Sequence, residues 1–198
     1  GDISSAAYWL VAALIHPRAK IKVTNVGINP SRTGILDIIK AMGGKLYLEN
    51  QRQEGGEPVA DIVAESSELT GINIEGDIIP RLIDEVPLVA VAACLAHGTT
   101  TIGDIGELRV KESDRIKTTV QELSRLGGGL EELSDGMIIH GAQKLRGAAV
   151  NSNGDHRLAM TLAVAASVAH GETVIHNAEV VDISYPSFWQ DLARLSSF

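Results

Sequence analysis

Two kinds of apolar pattern alternate along the chain. Residues 2–23 (DISSAAYWLVAALIHPRAKIKV), 84–102 (DEVPLVAVAACLAHGTTTI) and 155–175 (DHRLAMTLAVAASVAHGETVI) each hold an Ala-rich run that is apolar nearly all round. Such a run predicts a helix buried on every side. Each opens on Asp, reaches His16, His97 or His170 near its end, breaks at Pro or Gly, and enters a short β-branched strand. An aspartate there fits an N-cap, its carboxylate taking free backbone N–H groups; Asp2 or Ser4 would cap the first helix, Asp84 the second and Asp155 the third. Residues 34–42, 114–126 and 188–195 are apolar on one face only, the second of them at Ile116, Val120, Leu123 and Leu126. That spacing predicts amphipathic helices lying over the buried ones.

Gly43-Gly44 and Gly127-Gly128-Gly129 close the first two amphipathic helices. Neither has the spacing or the following Lys-Ser/Thr of a phosphate loop, so both read as helix C-caps. Strands are predicted at 45–49, 61–64, 72–74, 130–132 and 137–140, and the polar, Gly-rich stretch 51–58 reads as a surface loop. The order strand, helix, strand, helix, strand, strand then recurs over about 1–75, 76–147 and 148–198, the last copy cut short. The fold class is α/β: one domain of three βαβαββ units, helices inside and sheets outward. The abrupt opening on a helix cap reads as a piece of something longer.

With 198 residues and 44% apolar content the chain builds a core without disulfides. Its single cysteine, Cys94, lies inside an apolar run and reads as a small buried hydrophobe, which suits a reducing compartment and a cytoplasmic setting. A net charge of −8 and 4% aromatic residues speak against nucleic acid as a partner. No apolar stretch is long enough to span a bilayer, and no basic leader precedes one. The three histidines suit helix C-termini, and no pair has zinc-ligand spacing, so no metal site is expected.

Against that background the run Arg109-Val110-Lys111-Glu112-Ser113-Asp114-Arg115 stands out, with its charges gathered ahead of a helix rather than spread along it. It predicts a charged loop at a helix N-terminus, where backbone N–H groups already favour anions. Gly154-Asp155-His156-Arg157 is a second such junction, and Asp84 sits at the equivalent place of the middle unit. Asp84 and His156-Arg157, at equivalent places of their units, should emerge on one face of the domain. Arg115 and Arg157 have the planar fork that grips phosphate and carboxylate. Glu112, beside Lys111, is an acid–base candidate, as is Asp84, because a carboxyl's proton affinity responds to charge and burial.

Three of these segments resemble the EPSP synthase (3-phosphoshikimate 1-carboxyvinyltransferase) family. They are Ile79-Pro80-Arg81-Leu82-Ile83-Asp84-Glu85, Leu108-Arg109-Val110-Lys111-Glu112-Ser113-Asp114-Arg115-Ile116 and Gly154-Asp155-His156-Arg157-Leu158-Ala159-Met160. Gly1-Asp2-Ile3-Ser4-Ser5-Ala6-Ala7, Asn29-Pro30-Ser31-Arg32-Thr33-Gly34 and Ser184-Tyr185-Pro186-Ser187-Phe188 are similar to it too, so the likeness spans the chain.

The resemblance implies an inside-out α/β domain that is the C-terminal half of a two-domain enzyme, with the active site in the cleft and the N-terminal domain absent. It implies transfer of the enolpyruvyl group of phosphoenolpyruvate to the 5-hydroxyl of shikimate 3-phosphate, a step of aromatic amino-acid biosynthesis and a glyphosate target, with no cofactor and no metal. Asp84 would be the base for the 5-hydroxyl, Glu112 would move the proton at the methylene carbon, and Lys111 would reach towards the shikimate ligand and Asp84. Arg115 and Arg157, with His156 beside them, would clamp phosphoenolpyruvate. One departure is the absence of a lysine near Asp182-Ile183-Ser184-Tyr185-Pro186; Ser184 or a lysine of the other domain would take that contact. Two other readings stand beside this one: a UDP-N-acetylglucosamine enolpyruvyl transferase half, and a non-catalytic βαβαββ repeat domain. The chain alone would be folded but inactive.

Overall fold

Asp2 starts the first helix of the computed structural model, which describes residues 1–196. In chain order the elements are α1 (Ile3–Ile15), β1 (Lys20–Gly27), α2 (Gly34–Ala41), β2 (Lys45–Glu54), β3 (Glu57–Glu65), β4 (Asn73–Ile74), α3 (Val86–Leu95) and β5 (Thr99–Ile102). They continue as α4 (Arg115–Arg125), β6 (Gly129–Leu133), β7 (Gly136–His140), β8 (Ala149–Asn151), α5 (His156–Val168), β9 (Val174–His176) and α6 (Phe188–Leu195).

Helices α1, α3 and α5 are the runs that are apolar all round, and they pack on one another in the middle of the molecule. Their alanines, Ala7, Ala13, Ala90, Ala93, Ala159 and Ala165 among them, are buried and let the helix axes approach closely. Larger side chains such as Leu10, Leu14, Leu88 and Leu162 fill the space between. The amphipathic helices α2 and α4 lay Ile35, Ile39, Ile116 and Leu123 against this core. Three sheets surround it: antiparallel β1-β3-β2, a four-stranded β4-β5-β7-β6 in which β4 and β5 run parallel, and the parallel pair β8-β9.

Three expectations are corrected. The stretch 51–58 is not a loop but the tip of a hairpin: β2 and β3 pair as far as Glu54↔Glu57, with Gly55 and Gly56 at φ +59° and +87° making the turn. Both strands are exposed there, so the polar composition that suggested a loop belongs to a solvated hairpin arm. Asp84 does not cap its helix. Asp2 accepts from the Ser5 N–H at 3.0 Å, and Asp155 from the Arg157 and Leu158 N–H groups at 2.9 and 3.3 Å. The middle helix begins one residue later, at a Glu85 cap with no side-chain bond, because Pro87 in its first turn has no N–H to offer. Asp84 is left in a 3-10 turn, Ile83–Glu85, with its carboxylate free for other partners. The charged run is likewise only partly loop: Arg109 and Val110 end the 3-10 turn Gly106–Val110.

Where β7 leaves the second sheet, the backbone of Gly141 touches the end of α3. A Cβ there would lie 1.9 Å from the Ala96 carbonyl oxygen and 2.6 Å from that of Gly98. Gly141→Ala is therefore expected to destabilise the fold by about 2–3 kcal/mol, read as a lower urea midpoint at unchanged m.

Candidate active site

The N-terminal ends of α1, α3 and α5 meet on one face. Ser4 of α1 donates its hydroxyl to Glu85 at the start of α3, and Arg157 in the first turn of α5 lies 3.3 Å from Asp84 Oδ2 and 3.8 Å from Glu85 Oε1. Helix α4 adds its own N-terminus, capped by Asp114 on the Lys117 N–H at 3.1 Å. Free N–H groups and positive dipole ends are thus concentrated where Lys111, Arg115, His156 and Arg157 also stand.

Arg115 is the centre of this face, and it is only 1% exposed. Its Nε donates to Asp155 Oδ2 at 2.6 Å and its Nη2 to Asp155 Oδ1 at 3.3 Å; Nη1 donates to Asp84 Oδ1 at 3.1 Å, and Nη2 also to Glu112. These four bonds use four of the five guanidinium N–H groups. Asp155 is wholly buried. Burial alone would raise its carboxyl pKa, but Arg115 and the N–H groups of Leu158 and Arg157 outweigh that and hold it below the ordinary aspartate value.

Asp84 bridges Arg115 and Arg157 with its two oxygens and remains partly open to solvent. Glu112 pairs with Arg115 while its side chain is 47% exposed, so one carboxylate edge faces outward. Arg157 has a fifth of its side chain exposed and offers the more open fork of the two arginines. Burial, and then the Arg157 charge, push the His156 pKa below its ordinary value, favouring the neutral imidazole. Lys111 turns back to Glu107 one helical turn earlier rather than to Asp84, whose cations are the two arginines. Arg109 braces the turn from outside through Asp114 and Glu132, at 2.8 and 2.9 Å.

The structure thus brings Asp84, Glu112, Arg115 and Arg157 together. Two residues that carry the arrangement were not singled out from sequence as more than a cap and a spacer: Asp155, which anchors Arg115, and Glu85, which faces Arg157. In the C-terminal motif, Ser184 is exposed, and Tyr185 serves packing: its ring meets Trp9 and Phe188, and its hydroxyl accepts from Trp9 Nε1 at 3.0 Å. A cavity of about 630 Å³ between Trp9, His16, Lys20, Ser167 and Leu192 lies at the opposite ends of α1 and α5 and shares no residue with this face. Among the described residues no group of three or more His, Cys, Asp or Glu side chains is placed to hold a metal ion, and no helix is long and apolar enough to cross a membrane.

Comparison with known proteins places the whole described chain in one family. Residues 1–192 match the family model for EPSP synthase (3-phosphoshikimate 1-carboxyvinyltransferase). The 3-phosphoshikimate 1-carboxyvinyltransferase of Herpetosiphon aurantiacus is 55% identical over 195 residues, covering 98% of this chain and 45% of that protein. That of Roseiflexus sp. is 56% identical over 196 residues, again 45% of its length. Among solved structures, an EPSP synthase from Acinetobacter baumannii superposes with a TM-score of 0.94 at 41% identity, over 98% of this chain and 45% of that one. The enolpyruvyl transferase NikO from Streptomyces tendae shares the fold, with a TM-score of 0.78 at 19% identity over 98% and 42%. The chain spans just under half the length of these relatives, and it belongs to the EPSP synthase family.

Proposed function

We propose that this chain is one wall of the active site of a 3-phosphoshikimate 1-carboxyvinyltransferase, completed by an N-terminal domain. The observation that carries the reading is the convergence of Asp84, Glu112, Arg115 and Arg157 on the N-terminal ends of three buried helices. An anion with a phosphate and a carboxylate, as phosphoenolpyruvate has, would meet there the Arg157 fork and Arg115, with His156 beside them. Gripping it fixes its orientation before reaction.

Asp84 takes the proton of the shikimate 3-phosphate 5-hydroxyl as that oxygen bonds to C2 of phosphoenolpyruvate, and Glu112 delivers a proton to the methylene carbon. The resulting tetrahedral adduct carries its negative charge beside Arg115 and Arg157, in a setting that needs no reorganisation. Loss of a methyl proton and of phosphate then leaves the enolpyruvyl ether. The contact that a C-terminal lysine makes in some family members falls to Ser184 or to a lysine of the other domain. The lone buried Cys94 suits a cytoplasmic enzyme, and the same family reading makes it a glyphosate target.

The test is phosphate release from phosphoenolpyruvate and shikimate 3-phosphate. The chain is assayed alone, and then with the N-terminal half of the Herpetosiphon relative. Silence alone and release on complementation are expected. Release by the chain alone would overturn the one-wall arrangement, and release with UDP-N-acetylglucosamine as acceptor instead would move the enzyme to the sister reaction.

A further inference from the structure

Glu85 is a buried carboxylate, 6% exposed, that capping does not explain, since it makes no side-chain bond to the start of α3. Burying a charge without strong compensation is costly, so its partners show what it is for. On one side the Ser4 hydroxyl donates to Glu85 Oε1. Ser4, itself buried inside α1, accepts from Arg32 Nη2 at 3.5 Å, and that guanidinium lies 3.9 Å from Asp2. On the other side stands Arg157 Nη1, 3.8 Å from the same Glu85 oxygen. Charge therefore alternates from Asp2 through Arg32, Glu85 and Arg157 to Asp84, linking α1, the turn before α2, the start of α3 and the start of α5.

The neighbours Asp84 and Glu85 form ion pairs with different Nη atoms of one guanidinium, at 3.3 and 3.8 Å, one on each prong of the Arg157 fork. They are not interchangeable. Asp84 gives up its grip whenever it takes a proton from substrate. Glu85, buried and tied to Ser4, stays beside Arg157 whether or not Asp84 is protonated. We infer that Glu85, held by Ser4 and Arg32, is a positioning residue that fixes the Arg157 guanidinium for the ligand anion. The inference rests on the reading of Arg157 as an anion-binding residue.

The groups facing Glu85 are Ser4 and Tyr8 from α1, Arg32, Asp84 and Arg157. Burial raises the Glu85 pKa, and the Ser4 hydrogen bond and the Arg157 charge counter only part of that. Glu85 thus loses its charge at a higher pH than an ordinary glutamate, and the hold on Arg157 weakens as pH falls. Glu85→Gln keeps the shape and mimics the protonated form.

Steady-state kinetics of the two-domain enzyme decide it. Glu85→Gln is expected to raise KM for phosphoenolpyruvate about tenfold while kcat stays within about twofold, the mark of a misaimed binding group. The ratio of the variant's KM to the wild type's should fall towards one as pH drops. Ser4→Ala, which removes the hydrogen bond but leaves the carboxyl group in place, should raise the same KM by a smaller factor. An unchanged KM and pH profile in Glu85→Gln overturns the inference, as does an equal loss of affinity for both substrates with a lowered melting temperature. If the wild-type enzyme turns over neither substrate, the functional reading fails instead. Inorganic phosphate titrated into the wild-type and Glu85→Gln proteins then decides the inference: weaker binding by the variant supports it, and equal binding ends it.

Discussion

Arg115→Met is expected to destabilise the chain by about 3–5 kcal/mol, the usual consequence of stripping one partner from a buried ion pair. The partner left behind is Asp155, wholly enclosed, whose carboxylate has Arg115 as its cation at 2.6 Å. Its remaining donors are the Arg157 and Leu158 N–H groups, and the Ser113 hydroxyl at 3.2 Å. The pH dependence separates this loss from mere loss of packing. In the wild type the Asp155 pKa is depressed, so its contribution is present above the unfolded-state pKa and is lost as pH falls through the lower folded value. Without Arg115, burial dominates and the folded pKa rises above the unfolded one, so acid relieves the variant. The gap between the two urea midpoints should narrow as pH drops towards about 4, the ordinary aspartate range. Arg115→Met combined with Asp155→Asn should recover part of the stability at neutral pH. A constant gap across pH, or strictly additive losses, would show that Asp155 carries no unpaired charge in the variant.

This role for Arg115 was only half visible in the sequence. That it opens a helix follows from Asp114 and the apolar period behind it, both local signals. That it points inward, with four of its N–H groups already committed, depends on Asp155, forty residues later, and on Asp84, thirty-one residues earlier. The same limit hid Glu85 and Ser4, which meet across eighty-one residues and look, one by one, like a spacer and a helix serine. The helices were legible because a 3.6-residue period is written within each segment; α6 and α2 emerge where the pattern put them. The hairpin tip was missed because composition, not alternation, guided the reading of 51–58. Asp84 as a cap was misread because three look-alike helix starts suggested one role, and only Pro87 marks the middle one as different. That departure from the shared pattern is what releases the Asp84 carboxylate to lie between the two arginines.

Asp84→Asn is expected to lower kcat of the two-domain enzyme by about 10²–10⁴-fold, the range of a lost general base, with KM for phosphoenolpyruvate little changed or lower. The asymmetry follows from the geometry. Asp84 is not a support for the fold: it makes no cap bond, is partly open to solvent, and neighbours two arginines with other carboxylates to hold them, Asp155 for Arg115 and Glu85 for Arg157. Asparagine keeps its outline and one acceptor, so stability should move by less than about 1 kcal/mol. Both Asp84 oxygens face arginines, one Arg115 and the other Arg157. On the proposed reading, a bound phosphate or carboxylate would compete with Asp84 for the same N–H groups, and each bond it won would free a carboxylate oxygen. Asparagine yields the arginines more readily, being neutral, but once freed it has no basic oxygen for the proton. A variant that held kcat while losing affinity would show Asp84 to be a tether for the arginines and nothing more.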